Sequence, residues 1–244
     1  RLATRILLPV ADFPAYKQVE LYYGVLRRHD FTKYIDPHQR FRIEAHVRVH
    51  KKLTDQRFVA MEVKDAMADQ FRQKFNERPS VGDEEGAALR VVVRIRGWEV
   101  SLAIDLTGEP LSFRGYRKFI GEAPLREHVA AGLLRLAEWR APTPLVDPFC
   151  GSGTILIEAA LDCAGYTAAR YRRTFAFERL KTFQAETWRQ VKAETVSRKA
   201  PPAKPILFGY DKDPRVLEKA RANARAAGVE NWIQFKQKDV AELR

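Results

Sequence analysis

The stretch that decides the fold is LVDPFCGSGTILIEAAL, residues 145–161. Leu145 to Asp147 has the character of a short strand end, and a Gly-Ser-Gly turn follows it. The residues from Thr154 to Ala164 are apolar on most sides, which predicts a buried helix. A strand, a glycine-rich turn and a helix are a common way to hold a ligand at a helix N-terminus. The stretch therefore predicts a ligand site in an α/β domain.

The spacing of its glycines excludes three common kinds of site. A Walker loop needs four residues between its glycines and then a Lys, whereas only Ser152 separates Gly151 from Gly153 and no Lys follows. A dinucleotide fingerprint needs a third glycine where this chain has Leu156. A nucleophile elbow has the pattern Gly-x-Ser-x-Gly, which needs glycines two residues before and after Ser152, where this chain has Cys150 and Thr154. The turn is therefore neither a phosphate loop nor a serine nucleophile site.

Two residues beside the turn indicate the chemistry of its ligand. Asp147 would repel a phosphate but would pair with a cation, and S-adenosyl-L-methionine carries a sulfonium and an ammonium group. The helix N-terminus favours the carboxylate of such a ligand by roughly 0.3–1 kcal/mol. Cys150 has no His close in sequence to activate it, so we interpret it as a small buried residue that fits the loop. These features favour S-adenosyl-L-methionine as the cofactor.

Two further acids follow the next predicted strands. Residues 205–211 and 232–235 predict strands, with Asp211 ending the first and Asp239 following the second. In a doubly wound parallel sheet these positions share one crevice, where Asp211 would bind the ribose and Asp239 the adenine. The alternative is that each acid only caps a helix or turn. The predicted cofactor-binding residues are Asp147, Phe149, Cys150, Gly151, Ser152, Gly153, Thr154, Asp211, Lys212, Asp239 and Val240. Glu158 is interpreted either as a polar residue of the buried helix whose hydrogen bonds are satisfied, or as a residue that supports the glycine loop.

The first part of the chain predicts a small α+β domain. Alternating apolar residues predict strands over 41–49, 89–95 and 98–106, and Arg96-Gly97 between the last two indicates a hairpin. A short apolar run at 5–10 predicts another strand, and an apolar residue every four positions over 59–75 predicts a helix. The chain therefore combines an α+β part with an α/β part.

Composition limits the environment and the partners. The chain has 244 residues, a net charge of +12 and two cysteines, and no apolar run reaches the ~20 residues of a membrane helix. Two cysteines build neither a disulfide framework nor a metal site, so we expect a reducing cytoplasm, no metal and no membrane. The basic charge favours RNA as a partner.

The charge is concentrated in residues 164–204, where ten basic residues face three acidic ones. Aromatic residues alternate with the charges, and such a mixture suits phosphate neutralisation and base stacking. We expect a packed helix near 183–198 and RNA contacts from Arg170, Arg172 and Arg173. A second, smaller patch is formed by Arg48, Lys51 and Lys52, which we interpret as a solvated strand edge.

Several blocks of the sequence resemble RNA methyltransferases that carry a THUMP domain. Residues 147–160, DPFCGSGTILIEAA, closely resemble their motif I, and 105–111, 114–117 and 123–127 resemble the element that joins their two domains. Shorter segments are similar to the bacterial 23S rRNA guanine-N2 methyltransferases, at 63–66, 210–213 and 238–241. The resemblance covers nearly the whole chain.

The resemblance implies an α+β THUMP-containing RNA-binding region followed by an incomplete α/β Rossmann-like class I methyltransferase domain. We expect the RNA-binding region over 1–106, a linker over 107–124 and the methyltransferase domain over 125–244, with the basic insert at 164–204. Arg114 and Arg117 of the joining element are further expected RNA contacts. The sequence starts without Met and stops within a pattern, so we expect truncation at both ends.

The implied activity is S-adenosyl-L-methionine-dependent formation of N2-methylguanosine in 23S rRNA. Such enzymes carry an Asn-Pro-Pro-Tyr type motif after the fourth strand, but this sequence contains no Asn-Pro pair, so we expect no catalytic residue within it. A tRNA guanine-N2 methyltransferase, a DNA adenine methylase and a non-catalytic RNA-binding module remain as alternatives.

Overall fold

The chain divides into two compact units in a computed structural model that describes residues 1–82, 87–118, 125–194 and 206–243. The four-stranded unit consists of Arg5–Glu109 and Thr174–Ala185. The three-stranded unit consists of Arg1–Thr4, Pro110–Arg173 and Glu186–Arg244. The predicted boundaries differ from this division at the segments 1–4 and 174–185, and the predicted linker 107–124 is divided between the two units after Glu109.

The four-stranded unit is an α+β sheet with two helices. Its elements are β1 Leu7–Pro14, α1 Gln18–Arg28, β2 Arg40–Arg48, α2 Gln56–Phe75, β3 Ala87–Arg96 and β4 Glu99–Asp105. The strand order is β1-β4-β3-β2, in which β4 pairs antiparallel with both β1 and β3. The pair β2 and β3 is parallel, because α2 carries the chain back to the start of the sheet.

Side-chain alternation explains how this sheet buries one face. Val91, Val93 and Ile95 of β3 are buried, whereas Arg94 and Arg96 between and after them are exposed. The helix α2 covers the buried face with apolar residues every four positions, including Val63 and Met67. The strands predicted over 41–49, 89–95 and 98–106 are therefore present. The helix α1 was not predicted, although its buried residues Leu21 and Val25 have helical spacing.

The three-stranded unit is a parallel α/β sheet. Its elements are α3 Glu127–Leu136, β5 Leu145–Asp147, α4 Thr154–Cys163, β6 Leu207–Asp211, α6 Pro214–Ala226 and β7 Ile233–Gln237. The helix α5 Ala185–Glu194 also belongs to this unit, except for Ala185. The strands lie in the order β5-β6-β7 and all pairs are parallel. The core lies between the helices and the sheet, with Leu156, Leu217 and Ile233 among its buried residues. The fold class is therefore confirmed as an α+β region followed by a Rossmann-like α/β region.

The predicted basic insert does not form one structure. Its residues 174–185 belong to the four-stranded unit, where Leu180 joins the buried core and the Lys181 backbone N–H donates to the Tyr34 carbonyl at 2.8 Å. Phe177 packs against the rings of Phe175 and Phe183, at 5.4 and 5.9 Å between ring centroids, which gives this segment its apolar character. The helix expected near 183–198 is present as α5 up to Glu194, but none of its described residues is buried, so the expected close packing is not seen there. Residues 195–205, including Arg198, Lys199 and Lys204, and 119–124 of the predicted linker lie outside the described residues.

The described ranges contain neither a membrane-spanning helix nor a cluster of metal ligands. No helix among them is long and apolar enough to cross a membrane. No group of three or more His, Cys, Asp or Glu side chains in the same ranges is arranged to hold a metal ion.

Candidate functional site

The carboxyl ends of the three parallel strands carry an acid each. Asp147 ends β5, Asp211 ends β6, and Asp239 follows β7 by two residues. Because parallel strands end at the same edge of a sheet, the three acids lie along one edge of the three-stranded unit. This is the edge at which the sequence predicted the cofactor.

The loop 148–153 is attached to the neighbouring strand by backbone hydrogen bonds. The N–H of Cys150 donates to the Tyr210 carbonyl at 2.9 Å, and the N–H of Gly151 donates to Oδ2 of Asp211 at 3.1 Å. The N–H of Phe149 donates to Oδ1 of Asp147 at 3.2 Å. The loop is thus fixed to β5 and β6 by hydrogen bonds, and Asp211 accepts one of them.

Both glycines of the turn adopt left-handed backbone angles, with φ of 53° at Gly151 and 80° at Gly153. A Cβ atom at Gly153 would lie 3.1 Å from Cζ of Phe235 and 3.3 Å from Cβ of Ala220. A Cβ at Gly151 would have no neighbour closer than 4.0 Å. Gly153 therefore permits the close packing of the loop on β7 and α6, and Gly151 leaves the opposite side of the loop open.

Burial shapes the electrostatics of the loop. Burial raises the pKa of Asp147 above its ordinary value, the hydrogen bond from Phe149 opposes this rise, and the nearby Asp211 adds to it. Burial, followed by the charges of Asp147 and Asp211, raises the pKa of Cys150 to about 12. The Cys150 thiol is thus neutral at physiological pH, which agrees with a packing role and not with a nucleophile.

The neighbours of Asp211 hold it by backbone contacts. Its Oδ1 accepts the N–H of Asp213 at 3.0 Å while Oδ2 accepts from Gly151. The side chain of Asp213 caps α6 by accepting the N–H of Arg215 at 2.9 Å. Lys212 between them is exposed, and its carbonyl accepts from the Gln237 side chain at 3.1 Å. A carboxylate has about four acceptor positions, so Asp211 keeps capacity for ligand hydroxyls.

The third acid lies in a more open position. Asp239 is exposed, and its Oδ1 accepts the N–H of Ala241 at 3.0 Å, which caps a 3₁₀ turn over Val240–Glu242. Val240 is 43% exposed. Asp239 therefore has the capping contact that the alternative interpretation expects, and its position at the site edge leaves the other oxygen open.

Asn223, which the sequence did not single out, supports the loop 148–153 from α6. Asn223 is buried in α6, where its side chain donates to the Ser152 carbonyl at 3.4 Å and accepts the N–H of Lys118 at 3.0 Å. A polar residue in the apolar face of α6, between Ala220 and Ala224, is the signal that could have identified it. Asn223 thus links the cofactor loop to the segment after the joining element.

Arg117 supports the same loop from the side. Its Nη2 donates to Oγ1 of Thr154 at 3.1 Å and to the Leu125 carbonyl at 2.6 Å, and its Nε lies 3.2 Å from a carboxylate oxygen of Glu127. Its side chain is only 11% exposed. The expected RNA contact of Arg117 is therefore corrected to a positioning contact at the start of α4.

Glu158 is the centre of a buried charged cluster behind the loop. It is fully buried in α4 and accepts from Arg1 at 2.6 Å, from Nε of Arg114 at 3.4 Å and from the Tyr116 hydroxyl at 3.4 Å. Arg114 is 3% exposed and also donates to the Leu111 carbonyl. The expected RNA contact of Arg114 is therefore wrong, because its guanidinium is buried and satisfied inside the unit.

The three arginines expected to contact RNA from the insert have different surroundings. The guanidinium of Arg170 lies 3.4 Å from the ring centroid of Tyr166 and 5.3 Å from that of Tyr171. Arg172 donates to the Pro110 carbonyl at 3.1 Å, so it holds the chain after the joining element. Arg173 is exposed. Arg170 and Arg173 therefore remain the residues of this set whose charge reaches the surface.

Comparison with protein families assigns both parts of the chain. A family model described as the RMKL-like methyltransferase domain matches residues 114–244. A family model of the THUMP domain matches residues 20–105. These ranges correspond to most of the three-stranded unit and most of the four-stranded unit.

Solved structures resemble the whole chain. SMU.472, described as a methyltransferase and crystallised with SAH, is 29% identical, with a TM-score of 0.86 over 99% of this chain and 63% of its own. A protein from Listeria monocytogenes str. 4b F2365, described as a predicted N6-adenine-specific DNA methylase, is 30% identical, with a TM-score of 0.87 over 100% of this chain and 63% of its own. TrmN from Thermus thermophilus is 26% identical, with a TM-score of 0.67 over 98% of this chain and 58% of its own. The chain thus spans about three fifths of the length of these relatives.

Proposed function

The chain belongs to the family of RMKL-like methyltransferase domains, and from this membership we propose that it holds S-adenosyl-L-methionine and RNA in an RNA methyltransferase. The observation that carries the proposal is the edge of the three-stranded unit. There a glycine loop, a half-buried acid and a second acid fastened to the loop lie together, without a lysine on the loop. The SAH complex of a relative with the same fold supports this cofactor.

The residues at this edge fit the parts of S-adenosyl-L-methionine. Asp147 and the turn 151–154 suit the methionine part, because a carboxylate pairs with its ammonium and the α4 N-terminus attracts its carboxylate. We assign Asp211 and Lys212 to the ribose hydroxyls, because they follow the second strand of a parallel sheet. We assign Asp239 and Val240, after the third strand, to the adenine and its amino group. Phe149, which is 70% exposed, would cover the open side of the loop. When bound, the cofactor supplies an electrophilic methyl group.

The four-stranded unit supports RNA as the substrate. Most of it matches the THUMP family, and the chain has a net charge of +12. We propose the guanine N2 of 23S rRNA as the target, on the basis of the resemblance of residues 63–66, 210–213 and 238–241 to enzymes that form it. A base in a folded RNA has to leave its stack to reach such a site. A reducing cytoplasm is the compartment in which this substrate and the two free cysteines are compatible.

A DNA adenine methylase is the second candidate, because the Listeria relative bears that description. The two candidates differ in the nucleic acid that is bound. Competition between RNA and DNA of equal length and sequence for the full chain separates them. Preference for RNA by tenfold or more supports the first candidate, and equal or stronger DNA binding supports the second.

Replacing Asp211 by alanine will weaken S-adenosyl-L-methionine binding by at least tenfold, about 1.4 kcal/mol. The loss arises because the ribose hydroxyls lose a charged acceptor, and such hydrogen bonds contribute about 1.5–3 kcal/mol. Isothermal titration calorimetry of the full chain measures it. Glu218→Ala on the exposed side of α6 is the matched control and should bind as the parent does. Asp211→Asn keeps one acceptor, for the Asp213 N–H, but its amide NH2 cannot accept the Gly151 N–H, so both variants remove the loop contact together with the charged acceptor. Parent-like affinity in both Asp211 variants would contradict the ribose assignment.

Replacing Arg170 and Arg173 together by alanine will weaken single-stranded RNA binding. It will also lower the slope of log Kd against log salt concentration by about 1.4, because two phosphate contacts are lost. Fluorescence anisotropy between low and moderate salt measures both quantities. Arg135→Ala with Arg140→Ala is the matched control, since these two line a cavity with Ile206 and Trp232 at the amino ends of β6 and β7. An unchanged slope in the Arg170 and Arg173 variant, or an equal drop in the control, would contradict this RNA contact.

A further inference from the structure

An exposed pair of stacked aromatic rings lies at one end of the four-stranded sheet. Tyr16 follows β1 and Trp98 lies in the turn between β3 and β4, and their ring centroids are 5.9 Å apart with planes inclined by 25°. Tyr16 is 53% exposed and Trp98 57% exposed. Both residues therefore contribute little to the core, and the pair presents a flat apolar surface to the outside.

Backbone hydrogen bonds hold the three loops that form this surface in place. The N–H of Ala15 donates to the Trp98 carbonyl at 2.8 Å, and the N–H of Gly97 donates to the Arg48 carbonyl at 3.1 Å. The Nε2 of His50 lies 3.0 Å from the Ala15 carbonyl, while its Nδ1 accepts the N–H of Leu53 at 2.7 Å. The ends of β1 and β2 and the β3–β4 turn are thus one preorganised surface.

Basic side chains surround the aromatic pair. Arg48 and Arg96 are neighbours in register on β2 and β3, and Lys51 and Lys52 follow β2. All four are exposed, and none of them forms an ion pair within the part of the chain that the structure describes. Exposed Arg94 continues the positive charge along the outer face of β3.

Two acids, Glu20 and Glu99, lie nearby and reduce but do not cancel the charge of the four basic residues. Glu99 is exposed in β4 opposite Arg96. The carboxylate of Glu20 accepts the N–H groups of Tyr16 at 2.6 Å and Lys17 at 3.3 Å, so it fastens the loop. The surface therefore keeps a positive charge beside its aromatic rings.

We propose that this surface binds an unpaired segment of RNA by stacking a base on the outer face of the Tyr16–Trp98 pair while Arg48, Arg96, Lys51 and Lys52 contact its phosphates. Aromatic faces stack unpaired bases of any sequence, and clustered cations neutralise the backbone beside them. Because the two rings already contact each other, the base stacks on the pair and does not enter between them. The proposal rests on the proposed RNA substrate and adds the part of the RNA that the four-stranded unit holds. Arg48, Lys51 and Lys52 are thereby reassigned from a solvated edge to a binding surface.

The test measures binding of a labelled single-stranded RNA of about 12 nucleotides to the full chain by fluorescence anisotropy. Trp98→Ala is expected to raise Kd about tenfold, whereas Trp98→Phe keeps a ring and stays within about threefold of the parent. Tyr23→Ala is the matched control, because Tyr23 is an exposed ring of α1 in the same unit with Arg27 4.7 Å from its centroid. Lys51→Gln with Lys52→Gln is expected to lower the salt slope by about 1.4, and Arg27→Gln with Arg28→Gln is its control.

Tryptophan emission gives an independent readout. Stacking of a base on Trp98 quenches its fluorescence, and the quenched component should be absent in Trp98→Phe although the RNA still binds. Unchanged RNA affinity in Trp98→Ala and Tyr16→Ala would overturn the proposal and assign the aromatic pair to a protein partner. An equal loss for a duplex of the same length would overturn the assignment to unpaired RNA. Failure of the parent chain to bind any RNA would overturn both the proposed RNA substrate and this proposal. Calorimetry of S-adenosyl-L-methionine binding tests the cofactor part of the proposed function separately.

Discussion

Replacing Glu158 by leucine will lower the free energy of unfolding of the three-stranded unit by about 3–5 kcal/mol. Glu158 is fully buried, and its removal leaves the guanidinium of Arg114, which is 3% exposed, without a counter-charge. The cost is large because a buried charge without a partner keeps its full desolvation penalty. The other contacts of Arg114, to the Leu111 and Arg1 carbonyls, do not neutralise its charge.

Urea unfolding followed by tryptophan fluorescence measures this loss. A Trp98→Phe background leaves three of the four tryptophans, and all three lie in the three-stranded unit. Asp162→Asn is the matched control, since Asp162 is 47% exposed and its contacts to Arg1 and Arg135 are 3.9 Å long, so its loss should stay below about 0.5 kcal/mol. Adding Arg114→Met to Glu158→Leu should recover part of the lost stability, because replacing a buried pair by apolar groups is often neutral, whereas Arg1, which is 14% exposed, still lacks its counter-charge. A loss below about 1 kcal/mol for Glu158→Leu would show that the cluster is not a buried ion pair in solution.

Replacing Gly153 by alanine will weaken S-adenosyl-L-methionine binding by at least tenfold and destabilise the three-stranded unit by about 1–3 kcal/mol. The left-handed backbone at φ 80° disfavours any side chain, and the new Cβ would lie 3.1 Å from Phe235 and 3.3 Å from Ala220. Phe235 is buried in β7, so the loop has to move and carry Gly151 away from Asp211. The affinity falls because the loop geometry is part of the binding site.

Gly228→Ala is the matched control for this variant. Gly228 has a similar φ of 62° at the end of α6, but its Cβ would face only the flexible ends of Arg170 and Tyr171, at 3.6 and 3.7 Å. It therefore carries the backbone cost without the clash, and cofactor affinity measured by calorimetry should stay near that of the parent. If Gly153→Ala and Gly228→Ala bind the cofactor equally well, close packing of the loop is not required for the site.

Much of the architecture could be predicted from local patterns. The alternation of Val91, Val93 and Ile95 and the four-residue spacing on α2 correctly predicted their strand and helix, because one face of each element has to be buried. The strand, turn and helix of 145–161 and the acids at the strand ends lie at one edge, because parallel strands determine that edge. The helix α1 was missed, since its apolar stripe is short and interrupted by polar residues.

The candidate RNA contacts could not be predicted in the same way. Arg114, Arg117 and Arg173 look alike as basic residues in a sequence, but only Arg173 is exposed. Arg114 is buried beside Glu158, and Arg117 contacts Glu127 and Thr154. These partners are not neighbours of the two arginines in the sequence. The basic residues of the sequence therefore indicated an RNA partner, but tertiary packing decided which of these residues are exposed.

The sequence by itself determined the strand ends, the glycine turn and the acids of the proposed cofactor site, because these follow from properties of neighbouring residues. The tertiary structure alone decided that 174–185 packs in the four-stranded unit, that Arg114 is buried, and that Tyr16 meets Trp98. Each of these depends on contacts between residues far apart in the chain. Which side chains are buried or stacked depends on the residues they contact in the folded chain. The sequence positions of two distant residues do not indicate whether they will be in contact.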